Sequence, residues 1–141
     1  MNALEELKRY TRVVADTGSF ELMRRFQPRD ATTNPSLILK AVESSQYRPL
    51  VRDVLQQSRD QTAEKQLLRL LVQFGLEILA IIPGRVSTEV EASLSFNTDA
   101  TIEQADEILQ LYSRHGMSPS RVLIKIAATW EGIRAAEALE R

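Results

Sequence analysis

The strongest constraint on the fold is the alternation of short strand-like segments with longer amphipathic ones. Strand patterns lie at residues 12–16, 30–34, 85–91 and 121–129, and stretches with helical periodicity separate them. This alternation predicts a parallel sheet with right-handed crossovers. No linker or low-complexity run divides the chain, so we expect a single domain over residues 1–141.

Helices are expected between the strands, with apolar positions recurring every three or four residues. Residues 62–82 form one long amphipathic helix by this criterion, despite Gly75, and Pro83-Gly84 ends it. Other helices are expected over residues 2–10, 19–26, 47–58, 102–115 and 130–141 and from Pro35 onward, with residues 97–100 as a loop and with Leu55 and Trp130 in the core.

One strand segment, Arg121 to Thr129, is an apolar run with a single lysine, Lys125, in its middle. Pro119 and Ser120 precede the run and a helical pattern follows it, which is typical of a buried strand. A buried ammonium is costly unless it is paired or loses its proton, and a neutral amine can attack a carbonyl to form a Schiff base. Taken alone, the run favours another interpretation, an edge-strand lysine that blocks aggregation between sheets.

Composition narrows the class of protein. A hydrophobic fraction of 43% and a charged fraction of 26% are ordinary for a soluble globular domain, and a net charge of −1 suggests neither a nucleic-acid nor an anionic-membrane partner. The chain has no cysteine and one histidine, which excludes thiolate and multi-histidine metal sites. It has no apolar run of membrane length, and its first residues are too acidic for a signal peptide, so we expect a cytoplasmic protein.

A polar residue lies within each strand segment or at its carboxyl end: Asp16, Asn34, Glu89 and Lys125. In parallel sheets and barrels, active-site side chains gather at these ends. A lysine with two carboxylates and an amide suits Schiff-base chemistry, because the lysine can attack a carbonyl while the carboxylates move protons. Each residue also has a structural explanation. Asp16 can be a turn residue, Asn34 the entry to a helix, Glu89 a solvated strand residue and Lys125 an edge-strand lysine. Their coincidence at four strand ends favours a site.

Four segments resemble the signatures of transaldolases. Residues 30–41 are similar to the N-terminal signature of that family, residues 83–90 to its third-strand segment, and residues 123–137 to its active-site lysine signature. Residues 13–18 match its first strand. The resemblance therefore spans almost the whole chain.

This resemblance implies a (β/α)8 barrel of the class I aldolase type, here about its first four β/α units, and an enzyme of the pentose phosphate pathway. Transaldolases move a dihydroxyacetone unit from a ketose phosphate such as sedoheptulose 7-phosphate to glyceraldehyde 3-phosphate, without a cofactor or metal. By motif, Lys125 would form the Schiff base with the donor C2 carbonyl. Asp16 would take the proton from the C4 hydroxyl as the C3–C4 bond breaks, and Glu89 would act through a water in forming and hydrolysing the imine.

The substrate-binding residues implied by the same motifs lie around the second strand. Asn34 would hydrogen-bond the dihydroxyacetone unit, and Thr32 or Thr33 would line the same wall of the site. The family's later strands carry a threonine, a serine and the phosphate-binding arginines of the site.

The chain is shorter than a whole barrel, which needs about 250 residues. The resemblance therefore predicts a half-barrel with open edges at the strands of Asp16 and Lys125 and a bare inner face. Such a half is expected to self-associate or to bind a separate C-terminal half. The alternatives to a working transaldolase are a catalytically impaired half-barrel, a non-catalytic relic and a small sugar-phosphate aldolase of the same superfamily.

Overall fold

A computed structural model of the protein describes residues 2–141, and Met1, the first residue of the expected domain, lies outside them. Strands and helices alternate in the predicted order. The strands are β1 (Val14–Asp16), β2 (Asp30–Thr32), β3 (Val86–Glu89) and β4 (Val122–Lys125), and the helices are α1 (Ala3–Tyr10), α2 (Phe20–Phe26), α3 (Pro35–Glu43), α4 (Arg48–Gln57), α5 (Ala63–Leu79), α6 (Thr98–Arg114) and α7 (Trp130–Leu139). Short 3-10 turns cover Ser45–Tyr47, Ala92–Leu94 and Pro119–Arg121.

The strands form one parallel sheet in the order β1-β2-β3-β4, so each strand lies beside its neighbour in sequence. Every connection between them contains at least one helix. This arrangement confirms the predicted α/β class, and it is consistent with about half of a (β/α)8 barrel. None of the helices among residues 2–141 combines the length and the apolar character needed to cross a membrane.

Side-chain caps explain where most of the helices begin. The side chains of Asn2, Ser19, Asn34, Thr62, Asn97 and Thr129 each accept a hydrogen bond from a backbone N–H in the first turn of the helix that follows. Such a cap stabilises a helix by about 1 kcal/mol. The expectation of a loop at 97–100 was wrong for this reason: Asn97 Oδ1 accepts from the N–H of Ala100 at 3.1 Å, so α6 starts at Thr98.

The helices cover one face of the sheet and form the core with it. Val86, Thr88 and Val122 point to this face and are buried. Among the side chains packed in this core, the rings of Phe20, Tyr47 and Phe74 meet with centroids 4.8–5.5 Å apart. The burial of strand residues on this face fixes which residues are left on the other one, since strand side chains alternate.

Gly75 lies in the middle of α5, which is one long helix as predicted. A Cβ on Gly75 would lie 1.7 Å from the hydroxyl oxygen of Tyr112, so only glycine admits that tyrosine here. The Tyr112 hydroxyl in turn lies 2.7 Å from Thr88 Oγ1, and both side chains are fully buried. This contact joins α5, α6 and β3 beneath the sheet.

The opposite face of the sheet is bare. Its side chains alternate with the buried ones, and in the register Asp16, Thr32, Ser87 and Leu123 share one row while Glu89 and Lys125 are paired in the next. We call these six residues the open face. Asp16 is exposed and Leu123 retains 41% of its accessible surface, so the open face is solvated and both edges, β1 and β4, are unpaired among residues 2–141.

Three expectations about burial were wrong. The lysine strand was expected to be buried, but only Val122 of β4 is buried; the position of β4 at an edge of the sheet agrees with the predicted half-barrel. Trp130 was expected in the core and is 70% exposed at the first position of α7. Leu55 was expected to be buried and is 41% exposed, because in α4 it is Val54 that faces the core.

We predict that the fold loses stability in alkali through Tyr112. Burial raises the pKa of Tyr112 from 10.0 to about 12. Because the unfolded tyrosine ionises first, the stabilisation is complete below pH 10 and is lost as the pH rises towards 12, by at most about 3 kcal/mol. Urea unfolding of the wild type and of Tyr112→Phe between pH 8 and pH 12 measures it: the stability difference between the two should shrink or reverse above pH 10. A constant difference would contradict the assignment.

We also predict that the open face drives self-association. At micromolar concentration the chain should sediment as a dimer or larger species, because the strand edges are unpaired and the apolar side chain of Leu123 is exposed on the open face. Leu123→Lys, on the open face, should weaken this association, whereas Leu39→Lys, which replaces a 63% exposed residue of α3, should not. A stable, cooperatively folding wild-type monomer would contradict the prediction.

Candidate active site

The centre of the open face is an ion pair at the carboxyl ends of β3 and β4. Glu89 and Lys125 are register partners, so their side chains leave the sheet side by side. Lys125 Nζ lies 3.0 Å from Glu89 Oε2, with 40% and 30% of the two side chains exposed. The lysine is therefore paired and solvated rather than buried, and it can exchange protons with both the carboxylate and water.

The same amine also reaches the end of β2. Lys125 Nζ donates to the backbone carbonyl of Thr33 at 3.1 Å. Thr33 itself is held by β3, because its N–H and its Oγ1 both donate to the carbonyl of Ser87, at 3.1 Å and 2.8 Å. The Thr33 side chain is 1% exposed, so it is the carbonyl of this residue, and not the hydroxyl, that reaches the site.

Thr32 and Asn34 flank that carbonyl in different ways. Thr32 belongs to the open face and is partly exposed between Asp16 and Ser87. Asn34 accepts from the N–H of Leu37 at 2.9 Å through Oδ1, which starts α3. That bond uses the side-chain oxygen and leaves the NH2 group of Asn34 available as a donor.

Asp16 shares the open face with Lys125 but does not touch it. It lies at the end of the far edge strand, β1, three strand spacings away, which is about 14 Å along a flat sheet. The row of Asp16 in the register also lies two residues nearer the amino ends of the strands than the row of the ion pair. Within residues 2–141 its carboxylate has no hydrogen bond or ion pair. The structure thus brings Lys125, Glu89 and Thr33 together and leaves Asp16 across a gap.

Two positions outside the predicted set shape β4 and the segment after it. Arg121 binds the carbonyl oxygens of Leu79 and Ile82 at 3.2 Å and 2.9 Å and also that of Gly84, which ties the start of β4 to the end of α5. Gly132 lets α7 approach the loop that follows Lys125, since a Cβ there would lie 2.0 Å from the carbonyl oxygen of Ala127. The arginine before the apolar run and the glycine after it were visible in the sequence, but nothing in their spacing indicated these partners.

Over the described part of the chain, no group of three or more histidine, aspartate or glutamate side chains is arranged to hold a metal ion. The open face instead carries an amine, two carboxylates and two hydroxyl groups, and the amide of Asn34 follows the end of β2. This set can add an amine to a carbonyl and transfer protons around the adduct.

We predict that the ion pair contributes little to stability. Both side chains are about a third exposed, and solvated pairs of this kind are worth no more than about 1 kcal/mol. Lys125→Met should therefore shift the free energy of unfolding by about 1 kcal/mol or less in a urea titration. Glu89→Gln is the matched variant and should behave alike. A loss of several kcal/mol in either would contradict the interpretation that the pair serves chemistry rather than folding.

Comparison with known families gives one match that covers most of the chain. The family model described as transaldolase/fructose-6-phosphate aldolase matches residues 13–141. The matched range starts just before β1, so it includes every strand of the sheet and all of the site residues described above.

Proposed function

This chain belongs to the transaldolase/fructose-6-phosphate aldolase family, a family of aldolases and transferases that fold as TIM barrels, and on that premise we propose that it acts on sugar phosphates through a Schiff base on Lys125. The specific reaction proposed is that of a transaldolase of the pentose phosphate pathway. It transfers a dihydroxyacetone unit from sedoheptulose 7-phosphate to glyceraldehyde 3-phosphate.

One observation carries this proposal: the Lys125 amine stands on the open face within 3.0 Å of a carboxylate. A lysine is a nucleophile once it has lost its proton, and a carboxylate in contact with it can take up and return protons as the imine forms. Glu89 is placed to move protons at this nitrogen, directly or through a water. The open face leaves room beside the amine for the carbonyl carbon of a ketose.

The proposed steps use Lys125 as the nucleophile and Asp16 as the base for bond cleavage. The amine adds to C2 of the donor and water leaves, which gives an iminium ion. Asp16 then removes the proton of the C4 hydroxyl, the C3–C4 bond breaks, and its electrons move into the enamine on Lys125 while the aldehyde departs. The separation of Asp16 from Lys125 suits this division of labour, because the sugar chain and the long lysine side chain lie between them.

Thr32 and Asn34 are proposed to bind the dihydroxyacetone unit between these groups. Thr32 lies on the open face next to Asp16, and the free NH2 of Asn34 can donate to a substrate hydroxyl. Donors that hold the reacting atoms in line raise the rate by removing orientational freedom before the reaction.

A second candidate is a half-barrel of this family that binds sugar phosphates but turns over poorly or not at all. The carboxylate of Asp16, which is exposed and has no partner among the described residues, and the solvated open face favour it, because a water-filled site weakens electrostatic catalysis. In that case activity requires another barrel half, from a second copy or a separate C-terminal partner, to cover the open face.

Borohydride trapping tests the proposal. The chain is incubated with fructose 6-phosphate and reduced, and the intact mass and the modified peptide are determined. Wild type should carry a dihydroxyacetone adduct on Lys125, and Asp16→Asn should instead carry the uncleaved hexose phosphate, because the imine forms but the C3–C4 bond does not break. Lys125→Arg keeps the charge beside Glu89 and should carry no adduct.

The outcomes separate the candidates. A cleaved adduct on Lys125 supports the transaldolase. A hexose adduct in the wild type, converted to the cleaved one when a C-terminal half is added, supports the half-barrel. Failure of the wild type to trap any sugar, under conditions where a full-length transaldolase labels completely, would overturn Schiff-base catalysis by this chain.

A further inference from the structure

We propose that the backbone carbonyl of Thr33 is a positioning group for the Lys125 amine, and that it holds the single N–H left on nitrogen once the iminium ion has formed. The proposal rests on the Schiff-base function above and goes beyond it, because it assigns a role to a main-chain oxygen. Its basis is the pair of contacts that Lys125 Nζ makes, at 3.0 Å to Glu89 and at 3.1 Å to Thr33 O.

The two acceptors lie on different strands and fix the direction of the third N–H bond. An ammonium nitrogen has three donor positions around its bond to Cε. With one directed at Glu89 in β3 and another at Thr33 O beyond the end of β2, the remaining position faces the solvated side of the open face. When the proton in that position passes to water, the lone pair that remains points to where a ketose carbonyl can approach.

The carbonyl is rigid enough for this task. The N–H and Oγ1 of Thr33 both bind the carbonyl of Ser87, and the next residue, Asn34, is fixed as the cap of α3. The peptide between Thr33 and Asn34 is therefore anchored on both sides. A pre-organised acceptor of this kind does not have to reorient when charge develops on the nitrogen.

The proton balance gives the two acceptors different roles. The neutral amine attacks C2, the carbonyl electrons move to oxygen, and that oxygen takes a proton from water. Glu89 then accepts one proton from the cationic nitrogen and returns it to the new hydroxyl, which leaves as water while the C=N bond forms. The nitrogen keeps one hydrogen, and Thr33 O accepts it, which fixes the plane of the iminium ion.

The direct test is an ester bond between Thr33 and Asn34, which makes the Thr33 carbonyl a weaker acceptor and leaves every side chain in place. The chain has no cysteine, so a synthetic segment ending at Lys40 can be joined at Ala41 by ligation and desulfurisation. The all-amide chain made in the same way is the matched control. With fructose 6-phosphate and borohydride, the ester should form the Lys125 adduct about tenfold more slowly, as the loss of about 1.4 kcal/mol in the transition state requires.

The half-saturating sugar concentration should stay the same, because the contact is to the amine and not to the sugar. If the ester acted only by disturbing the fold, it would also raise the half-saturating sugar concentration or lower the free energy of unfolding. An unchanged trapping rate in a folded ester would overturn the proposal.

A second variant and a second measurement cover failure of the ester to fold. Thr33→Val removes the Oγ1 bond to Ser87 but keeps the N–H bond, and Thr33→Ser restores the hydroxyl; trapping should slow in the first and recover in the second. Nitrogen-15 relaxation of the Lys125 ammonium should show more motion in Thr33→Val than in wild type, with Lys8, paired to Glu5 in α1, as the unchanged control.

This design separates the proposal from the function beneath it. If wild type traps no sugar on Lys125, the Schiff-base function fails. Nitrogen-15 relaxation alone then tests whether the Thr33 carbonyl positions the amine. Equal motion of Lys125 in wild type and Thr33→Val would overturn the positioning role.

Discussion

The register of the four parallel strands is the constraint on which the rest of the structure depends. Because neighbouring strands run in the same direction, their carboxyl ends meet at one edge, and because side chains alternate, every second residue emerges on the same face. Glu89 is paired with Lys125 for this reason alone. A shift of one residue in β4 would turn Lys125 into the helix-covered core and bring an apolar neighbour to the open face.

The helix-covered face of the sheet sets this register. Val86, Thr88 and Val122 are buried beneath the helices, and the Thr88–Tyr112 contact joins β3 to α6. Arg121 fixes β4 in the same way by binding carbonyls at the end of α5. The geometry of the amine therefore depends on residues that are buried on the helix-covered face of the sheet.

Sequence patterns predicted the order of the elements, the single long α5 and the helix starts at Ser19 and Pro35, because these depend on local periodicity and caps. They failed where the outcome depends on what packs against a residue. Trp130 and Leu55 are apolar and were placed in the core, yet they are 70% and 41% exposed. The start of α6 was missed because a capping asparagine and a loop asparagine look alike in sequence.

The site shows the same division. The lysine and its glutamate partner were predicted from their positions at strand ends and from the motifs around them, and the structure places their side chains in contact. The part of Thr33 that reaches the amine was not predictable, because every residue has a carbonyl and only the tertiary fold aims this one at Lys125. The separation of Asp16 from the ion pair was equally hidden, since it depends on the order of strands across the sheet.

Exchange of the donor's carbonyl oxygen is the simplest test of imine formation on Lys125, because it needs the amine and not the rest of the barrel. Reversible imine formation replaces the C2 oxygen of fructose 6-phosphate with oxygen from solvent, which can be followed by the carbon-13 isotope shift in oxygen-18 water. We predict that the wild-type chain accelerates this exchange and that Lys125→Met does not. Exchange at the buffer rate with the wild type, or equal acceleration by Lys125→Met, would contradict it.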